Sequence, residues 1–244
     1  MQWPIIILYL LVCLVHAVLV SWLFVLPKYH RERLAFQLGP APWVWYSRLL
    51  LAPKVRVVGR CHLPSSHTGY LYVANHESIV DILVLTDVVR RAFLMKRSVL
   101  VTPIGWGTYL AGSIGFDRGS RRGRSGALEQ TLEMAKRAMS VIVFPEGTFG
   151  HSDGRLREPH LNLLRRAHQE GLSVVPIGHA GTRRALDGQS LPFHRNAEIF
   201  VVVEAPLLPT DYPDSDAFAQ ACWCSVETAV AAARGQVPSG WPYS

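Results

Sequence analysis

A chain of 244 residues, 49% hydrophobic and 18% charged, has room for one well-buried domain with a small attachment, and not comfortably for two. A net charge of +7 favours anionic membranes, nucleic acid or acidic substrates, and charge alone does not choose among them. Cys13 lies in an apolar run, Cys61 is isolated, and Cys222 and Cys224 have the wrong spacing for a common zinc knuckle. No disulfide framework is implied, and a reduced, cytoplasm-facing compartment fits.

From Pro4 to Leu26 the chain carries no Asp, Glu, Lys or Arg, which reaches the roughly 20 apolar residues of a spanning helix. Lys28, His30, Arg31 and Arg33 follow at once, so the positive-inside rule puts the body of the protein on the cytoplasmic face, the inner membrane's if the cell is bacterial. The run lacks the basic start and small-residue cleavage site of a signal peptide. His16, Ser21 and Trp22 are tolerable at an interface, so a helix lying in one leaflet stays open beside a transmembrane helix. Pro42-Trp43-Val44-Trp45-Tyr46-Ser47-Arg48 reads as a headgroup-level segment. Residues 1–52 are therefore expected as membrane anchor and interfacial segment, and 53–244 as the soluble domain.

Beyond the anchor, short β-branched runs predict strands at 54–58, 70–74, 92–96, 113–116, 141–144, 173–177 and 199–203. Helical spacing predicts helices at 78–91, 126–139, 161–170 and 217–234, while the glycine- and arginine-rich stretch 119–124 reads as a loop. Strand and helix in alternation predict an α/β fold: one layered domain with a mostly parallel or mixed sheet flanked by helices.

Four stretches at strand ends can carry chemistry. In Tyr70-Leu71-Tyr72-Val73-Ala74-Asn75-His76-Glu77-Ser78-Ile79-Val80-Asp81, an apolar strand ends at Asn-His and a helix with a Ser cap follows. Ligands of such sheets bind outside the carboxyl ends of the strands. Five residues along one straight helix turn about 500°, so His76 and Asp81 can meet only if His76 is in the loop and Asp81 points back from the first helical turn. An aspartate on one ring nitrogen would fix the tautomer and leave the other nitrogen to take a proton. Taken alone, the pair is more simply a helix cap and a solvated carboxylate. Gly112-Ser113-Ile114-Gly115-Phe116-Asp117-Arg118 brings a guanidinium, which grips phosphate as a fork, to the same edge. Val141-Ile142-Val143-Phe144-Pro145-Glu146-Gly147-Thr148 runs a strand into a tight turn whose amides can hold an anion or hydroxyl. Val174-Val175-Pro176-Ile177 is weak by itself.

In this order, NHESIVD, GSIGFDR, FPEGT and VVPI resemble the four-motif signature of the glycerolipid acyltransferases, the group that contains 1-acylglycerol-3-phosphate acyltransferase. The resemblance runs from about Val55 to Ala205 and makes 53–244 an acyltransferase domain. It implies His76 as base and Asp81 as its orienting partner. It also implies substrate-binding positions at Asn75, Lys96, Arg118, Glu146, Gly147 and Thr148, with Arg118 as the phosphate contact. Acyl-CoA or acyl carrier protein would be the donor, a lysolipid the acceptor and membrane lipids the surroundings, with no metal, no cofactor and no nucleic acid. Phospholipid biosynthesis is the implied setting.

The chain also departs from that pattern. Phe149 and Gly150 stand where an Arg often follows the Thr, and Pro159-His160-Leu161-Asn162 replaces a Phe-Lys-x-Gly-like element. Both changes remove positive charge and weaken the case for lysophosphatidic acid as acceptor; Thr182-Arg183-Arg184 could restore some. Gly150-His151-Ser152-Asp153-Gly154 fits the nucleophile-elbow pattern but lacks the strand before it and the helix after it. A thioester or lipid hydrolase and an inactive lipid-binding homologue are the rival readings.

Overall fold

The protein is described here by a computed structural model, in which residues 3–25, 38, 40–66, 69–89, 92–96, 114–116, 121–137, 140–186 and 194–237 are described. The chain opens with α1 (Trp3–Val20), one 3₁₀ turn (Ser21–Val25), and α2 (Pro40–Leu51). Proline starts α2, where its fixed φ suits a first helical residue. The two helices pair through Cys13, Ala17 and Val20 of α1 and Val44 of α2, all buried, at i, i+4, i+7 spacing on α1. Polar bonds add to the pairing: the Tyr9 hydroxyl meets the Ser47 hydroxyl of α2 at 2.6 Å, and the His16 Nε2 meets the carbonyl of Leu38, just before α2, at 2.6 Å. Among the described residues, no helix is long and apolar enough to cross a membrane. The expected transmembrane helix is therefore not found: α1 has 18 residues, about 27 Å at 1.5 Å per residue, against a hydrocarbon core of about 30 Å.

The domain that follows is built on a seven-stranded sheet of order β1-β7-β6-β2-β5-β3-β4. Its strands are β1 (Lys54–Val58), β2 (Tyr70–Ala74), β3 (Ala92–Lys96), β4 (Ile114–Phe116), β5 (Val141–Val143), β6 (Ser173–Ala180) and β7 (Glu198–Val203). Every neighbouring pair is parallel except β6 with β7, so the sheet is mixed and mostly parallel. The helices are α3 (Val80–Val89), α4 (Arg121–Arg137), α5 (Asn162–Gln169), the short α6 (Thr182–Ala185) and α7 (Ser215–Gly235).

Side chains of a strand alternate between faces, and both faces here are apolar. Tyr72, Ala74, Ile142, Val175 and Ile199 pack with Val80, Val84, Leu85 and Val88 of α3. Leu71, Val73, Val141, Val143 and Val174 pack with Leu132 of α4, Leu164 of α5 and Phe218, Trp223 and Val226 of α7. The three layers are helix, sheet, helix. Gly178 of β6 lets α7 approach closely, since a Cβ there would lie 2.2 Å from the Ala229 carbonyl carbon and the Val230 nitrogen.

One expected loop is helical. Residues 121–124, read as part of the glycine- and arginine-rich loop 119–124, form the start of α4. Arginine is a good helix former, and the buried stripe Ala127, Thr131, Leu132 and Ala135 anchors the helix beyond them.

Candidate active site

The central strands β5, β2 and β6 are parallel neighbours, so their carboxyl ends meet at one edge of the sheet. Each delivers a titratable residue there: the buried Glu146 just after β5, the half-buried His76 just after β2, and the buried His179 near the end of β6. The chain leaves β2 at Asn75 and enters α3 at Val80, and the short bend between them carries His76. The Val80 N–H donates to the Ser78 hydroxyl at 3.3 Å, which caps the helix start.

Asp81 sits in the first turn of α3 and points back. Its Oδ2 accepts from the His76 Nδ1 at 2.8 Å and from the Glu77 and Ser78 N–H groups at 2.6 and 3.0 Å. The two residues therefore meet in the one geometry that their spacing allows. Asp81 is fully buried. Burial works to raise its pKa, but His179, the hydrogen bond and charge of His76, and the Thr182 hydroxyl outweigh that and hold the carboxyl below its ordinary value. It is a fixed carboxylate that keeps a proton on the His76 Nδ1 side of the ring.

The His76 ring lies stacked on Phe144, with centroids 4.1 Å apart and planes 11° apart, and meets Phe149 edge-on at 4.5 Å and 61°. Its side chain is 14% exposed, so it is screened from water without being sealed. Glu146 holds the same loop from the other side. Its Oε1 accepts from the His76 N–H and its Oε2 from the Arg157 N–H, both at 2.8 Å. Burial raises the Glu146 pKa, and those two N–H donors and His76 offset part of the rise. The loop after β5 is pinned further: the Gly150 N–H donates to the His76 carbonyl at 2.7 Å, Arg157 Nε to the Phe149 carbonyl at 2.7 Å, and Arg183 Nη2 to the Gly150 carbonyl at 2.9 Å. Gly147 has φ +68°, a conformation glycine takes at no steric cost.

Behind the pair lies a second polar layer. The Asn75 Nδ2 donates to the His179 carbonyl at 3.0 Å, and the His179 N–H donates to the Asn75 Oδ1 at 2.9 Å. Glu77 is buried; its Oε2 accepts from the Gly181 N–H at 3.1 Å and from the Thr182 hydroxyl at 3.3 Å, and its Oε1 lies 4.0 Å from the Arg234 guanidinium. Burial raises the Glu77 pKa, against the opposing pull of His179.

The structure brings together His76, Asp81, Asn75, Glu146 and Gly147, with Thr148 exposed beside them. Glu146 and Asn75, expected among the substrate contacts, spend their polar atoms on the loop and on β6. Lys96 closes β3, paired in register with Phe116 of β4, at the same carboxyl edge. Arg118 lies outside the described residues. Sequence reasoning missed Glu77, His179, Arg157 and Arg234; a charged or imidazole group inside so apolar a strand as 173–180 was the available signal for His179. The Ser152 of the elbow-like pattern lies exposed in a turn with no helix before Asn162. Among the described residues, no cluster of three or more His, Cys, Asp or Glu could hold a metal ion.

Residues 54–180, more than half of the chain, match the model of the Acyltransferase family. The chain belongs to the Acyltransferase family. It is 32% identical over 156 residues to the chloroplastic 1-acyl-sn-glycerol-3-phosphate acyltransferase LPAT1 of Arabidopsis thaliana, a match covering 63% of this chain and 44% of that one. It is 33% identical over 153 residues to the lyso-ornithine lipid O-acyltransferase of Pseudomonas aeruginosa, covering 61% of this chain and 57% of that one. The match thus spans about half the length of these relatives. The fold is similar to the crystal structure of the 1-acyl-sn-glycerophosphate acyltransferase PlsC from Thermotoga maritima, with a TM-score of 0.70, 19% identity, and coverage of 94% of this chain and 98% of that one. The His76–Asp81 pair and the Glu146 turn both fall inside the segment that matches this Acyltransferase family.

Proposed function

We propose that the protein transfers a fatty acyl chain from an acyl thioester, on coenzyme A or acyl carrier protein, to the free hydroxyl of a lysolipid, with 1-acylglycerol-3-phosphate as the acceptor and phosphatidic acid as the product. The observation that carries this reading is the buried Asp81 carboxylate 2.8 Å from the His76 Nδ1, inside a family of acyltransferases. With Nδ1 donating to Asp81, the Nε2 of His76 is the ring nitrogen that accepts a proton. It takes the proton of the acceptor hydroxyl as that oxygen attacks the thioester carbonyl. The C–S bond then breaks, and the imidazolium returns the proton to the leaving thiolate. Asp81 stabilises the charged ring in between, and general-base assistance of this kind contributes roughly 10²–10⁴-fold. A thioester is reactive enough to need no covalent enzyme intermediate, so no nucleophilic Ser or Cys is required.

Gly147, Thr148, Lys96 and Arg118 are proposed to face the acceptor, Arg118 as its phosphate contact; Asn75 and Glu146 support the same site by fixing the loop. The exposed apolar side chains of α1, among them Ile7, Leu8, Leu11, Val15, Val18 and Leu19, with Trp45 and Leu49 of α2, support attachment at the level of one leaflet. A second acceptor is favoured by one specific contact. Phe149 places an aromatic edge on the base where a cation would serve a phosphate, and one relative is named for a lyso-ornithine lipid.

The test is transfer of labelled acyl-coenzyme A on membranes carrying the wild type or His76→Ala. The acceptors are lysophosphatidic acid, lysophospholipids with larger headgroups and a lyso-ornithine lipid. Phosphatidic acid formed by the wild type and not by His76→Ala supports the leading reading. Product from another lysolipid alone reassigns the acceptor, and free fatty acid alone refutes transfer in favour of hydrolysis.

A further inference from the structure

The carboxyl edge of the sheet holds a buried histidine that the acyl-transfer chemistry does not use. His179 is fully buried in β6, between the helix layer and the bend that carries His76. The ladder between β2 and β6 ends at Ala74 paired with Ile177. Beyond it β2 must leave the sheet for His76 to reach the site, while β6 turns to pair with β7 through His179 and Val201. The Asn75 side chain takes over the ladder at that point, exchanging both of its hydrogen bonds with the His179 backbone. The β2 backbone is thereby freed to bend without leaving the β6 groups unpaired.

The His179 ring adds a third bond that a sheet does not require. Its Nε2 lies 2.8 Å from the Asn75 carbonyl, and a carbonyl only accepts, so Nε2 carries the proton. The same Nε2 lies 3.7 Å from the Asp81 Oδ2 that holds His76. One N–H thus touches the peptide just before His76 and faces the carboxylate that orients it. The other ring nitrogen, Nδ1, meets no hydrogen-bond partner among the described residues, an unmade bond that an apolar side chain would avoid. A ring kept there for packing alone would not need to be an imidazole.

We propose that His179 is a positioning residue for the His76–Asp81 pair, acting through its Nε2–H on the Asn75 carbonyl. The inference rests on the acyl-transfer reading for its kinetic consequence only. The direction of the His76 ring depends on the peptide that carries it, and a displacement near 1 Å costs on the order of 10²-fold in rate.

Two amides separate this role from plain structure. In His179→Gln the side-chain N–H₂ can reach the place of Nε2; in His179→Asn it stops at the place of Nδ1. Both are polar and smaller than histidine and differ from each other by one methylene, so a loss of fold is read separately from Tm and a loss of positioning from kcat. With the full-length protein in membranes, His179→Asn is expected to lose roughly 10²-fold in kcat with KM unchanged for donor and acceptor, and His179→Gln to stay within a few-fold of wild type. Carbethoxylation of His76 by diethyl pyrocarbonate, followed by mass spectrometry, reads the same loop without turnover, and His179→Asn is expected to label faster than His179→Gln. Equal kcat for the two variants overturns the proposal. If the wild type transfers to no acceptor, the functional reading fails by itself and labelling decides: faster labelling of His179→Asn upholds the positioning role, and equal labelling overturns it.

Discussion

Phe149 is the residue at which the proposed acceptor can be tested. Its ring packs against that of His76, and its backbone is held by Arg157 on its own carbonyl and by the next residue's N–H on the His76 carbonyl, so the main chain that carries the ring is fixed by two hydrogen bonds. An arginine here would give a phosphate-bearing acceptor a charge-assisted hydrogen bond of about 1.5–3 kcal/mol, roughly ten- to a hundredfold in relative preference. The same cation beside the base would slow every acceptor, so the ratio is the quantity to measure. Phe149→Arg is expected to raise kcat/KM for lysophosphatidic acid relative to a zwitterionic lysolipid by that factor; an unchanged ratio would remove Phe149 from acceptor choice. Glu77 makes a separate prediction through stability. Its pKa is raised above the ordinary 4.5 by burial, so the folded chain holds this proton more tightly than the unfolded one. The stability it contributes is whole below pH 4.5 and falls as pH rises toward the folded pKa. Glu77→Gln carries no such titration. Its Tm relative to wild type is therefore expected to climb as pH rises above 4.5, which thermal unfolding in detergent across a pH series would show; a constant difference would place the Glu77 charge outside the folding balance.

Between elements, the joint that matters is α7 against β6, because β6 carries His179 and α7 carries Arg234. Gly178 sets that joint, since any Cβ would strike the Ala229–Val230 peptide at 2.2 Å. Gly178→Ala is expected to cost about 1–3 kcal/mol by overpacking and to lower kcat as well, as the displaced strand moves His179. A variant that loses stability alone would uncouple the strand from the site. Asp214→Ala offers the control. The Asp214 Oδ1 accepts from the Asp216 and Ala217 N–H groups at 2.9 and 2.8 Å, and loss of such a cap costs about 1 kcal/mol, far from His76; Tm is expected to drop with kcat intact. These elements were largely legible in the sequence. Five of the seven strands end where their β-branched runs end, because a strand apolar on both faces is bounded by turn residues. The helical start of α4 was not legible, since Arg and Gly together give loop-like composition while burial further along decides the matter. Pairing of His76 with Asp81 was legible from spacing and a helix cap. The Glu77, His179 and Arg234 layer was not, because its members come from three distant segments and nothing local links them.

At the scale of the whole molecule, the exposed large apolar side chains among the described residues are concentrated on α1 and α2. The α1 face at Cys13, Ala17 and Val20 is used on α2, whereas Leu8, Leu11, Val15, Val18 and Leu19 on the other side are 51–67% exposed. Isolated exposed apolar residues need no explanation, but a continuous stripe of them marks an interaction surface. Among the described residues no helix is long and apolar enough to cross a membrane, whereas a stripe of this kind suits the headgroup and upper acyl region, each buried side chain contributing about 1.5–3 kcal/mol. A lysolipid's hydroxyl sits at the same headgroup level. Leu11→Lys with Val15→Lys replaces two neighbours on the exposed stripe without touching the buried one. The pair is expected to weaken sedimentation with vesicles of phosphatidylcholine and phosphatidylglycerol by more than tenfold, since each change forfeits the burial of one apolar side chain. Turnover of lysolipid in those vesicles should fall with binding, while turnover of the same lysolipid in detergent micelles should hold. If both fall together, α1 supports the fold of the site itself; if neither falls, attachment lies elsewhere on the surface.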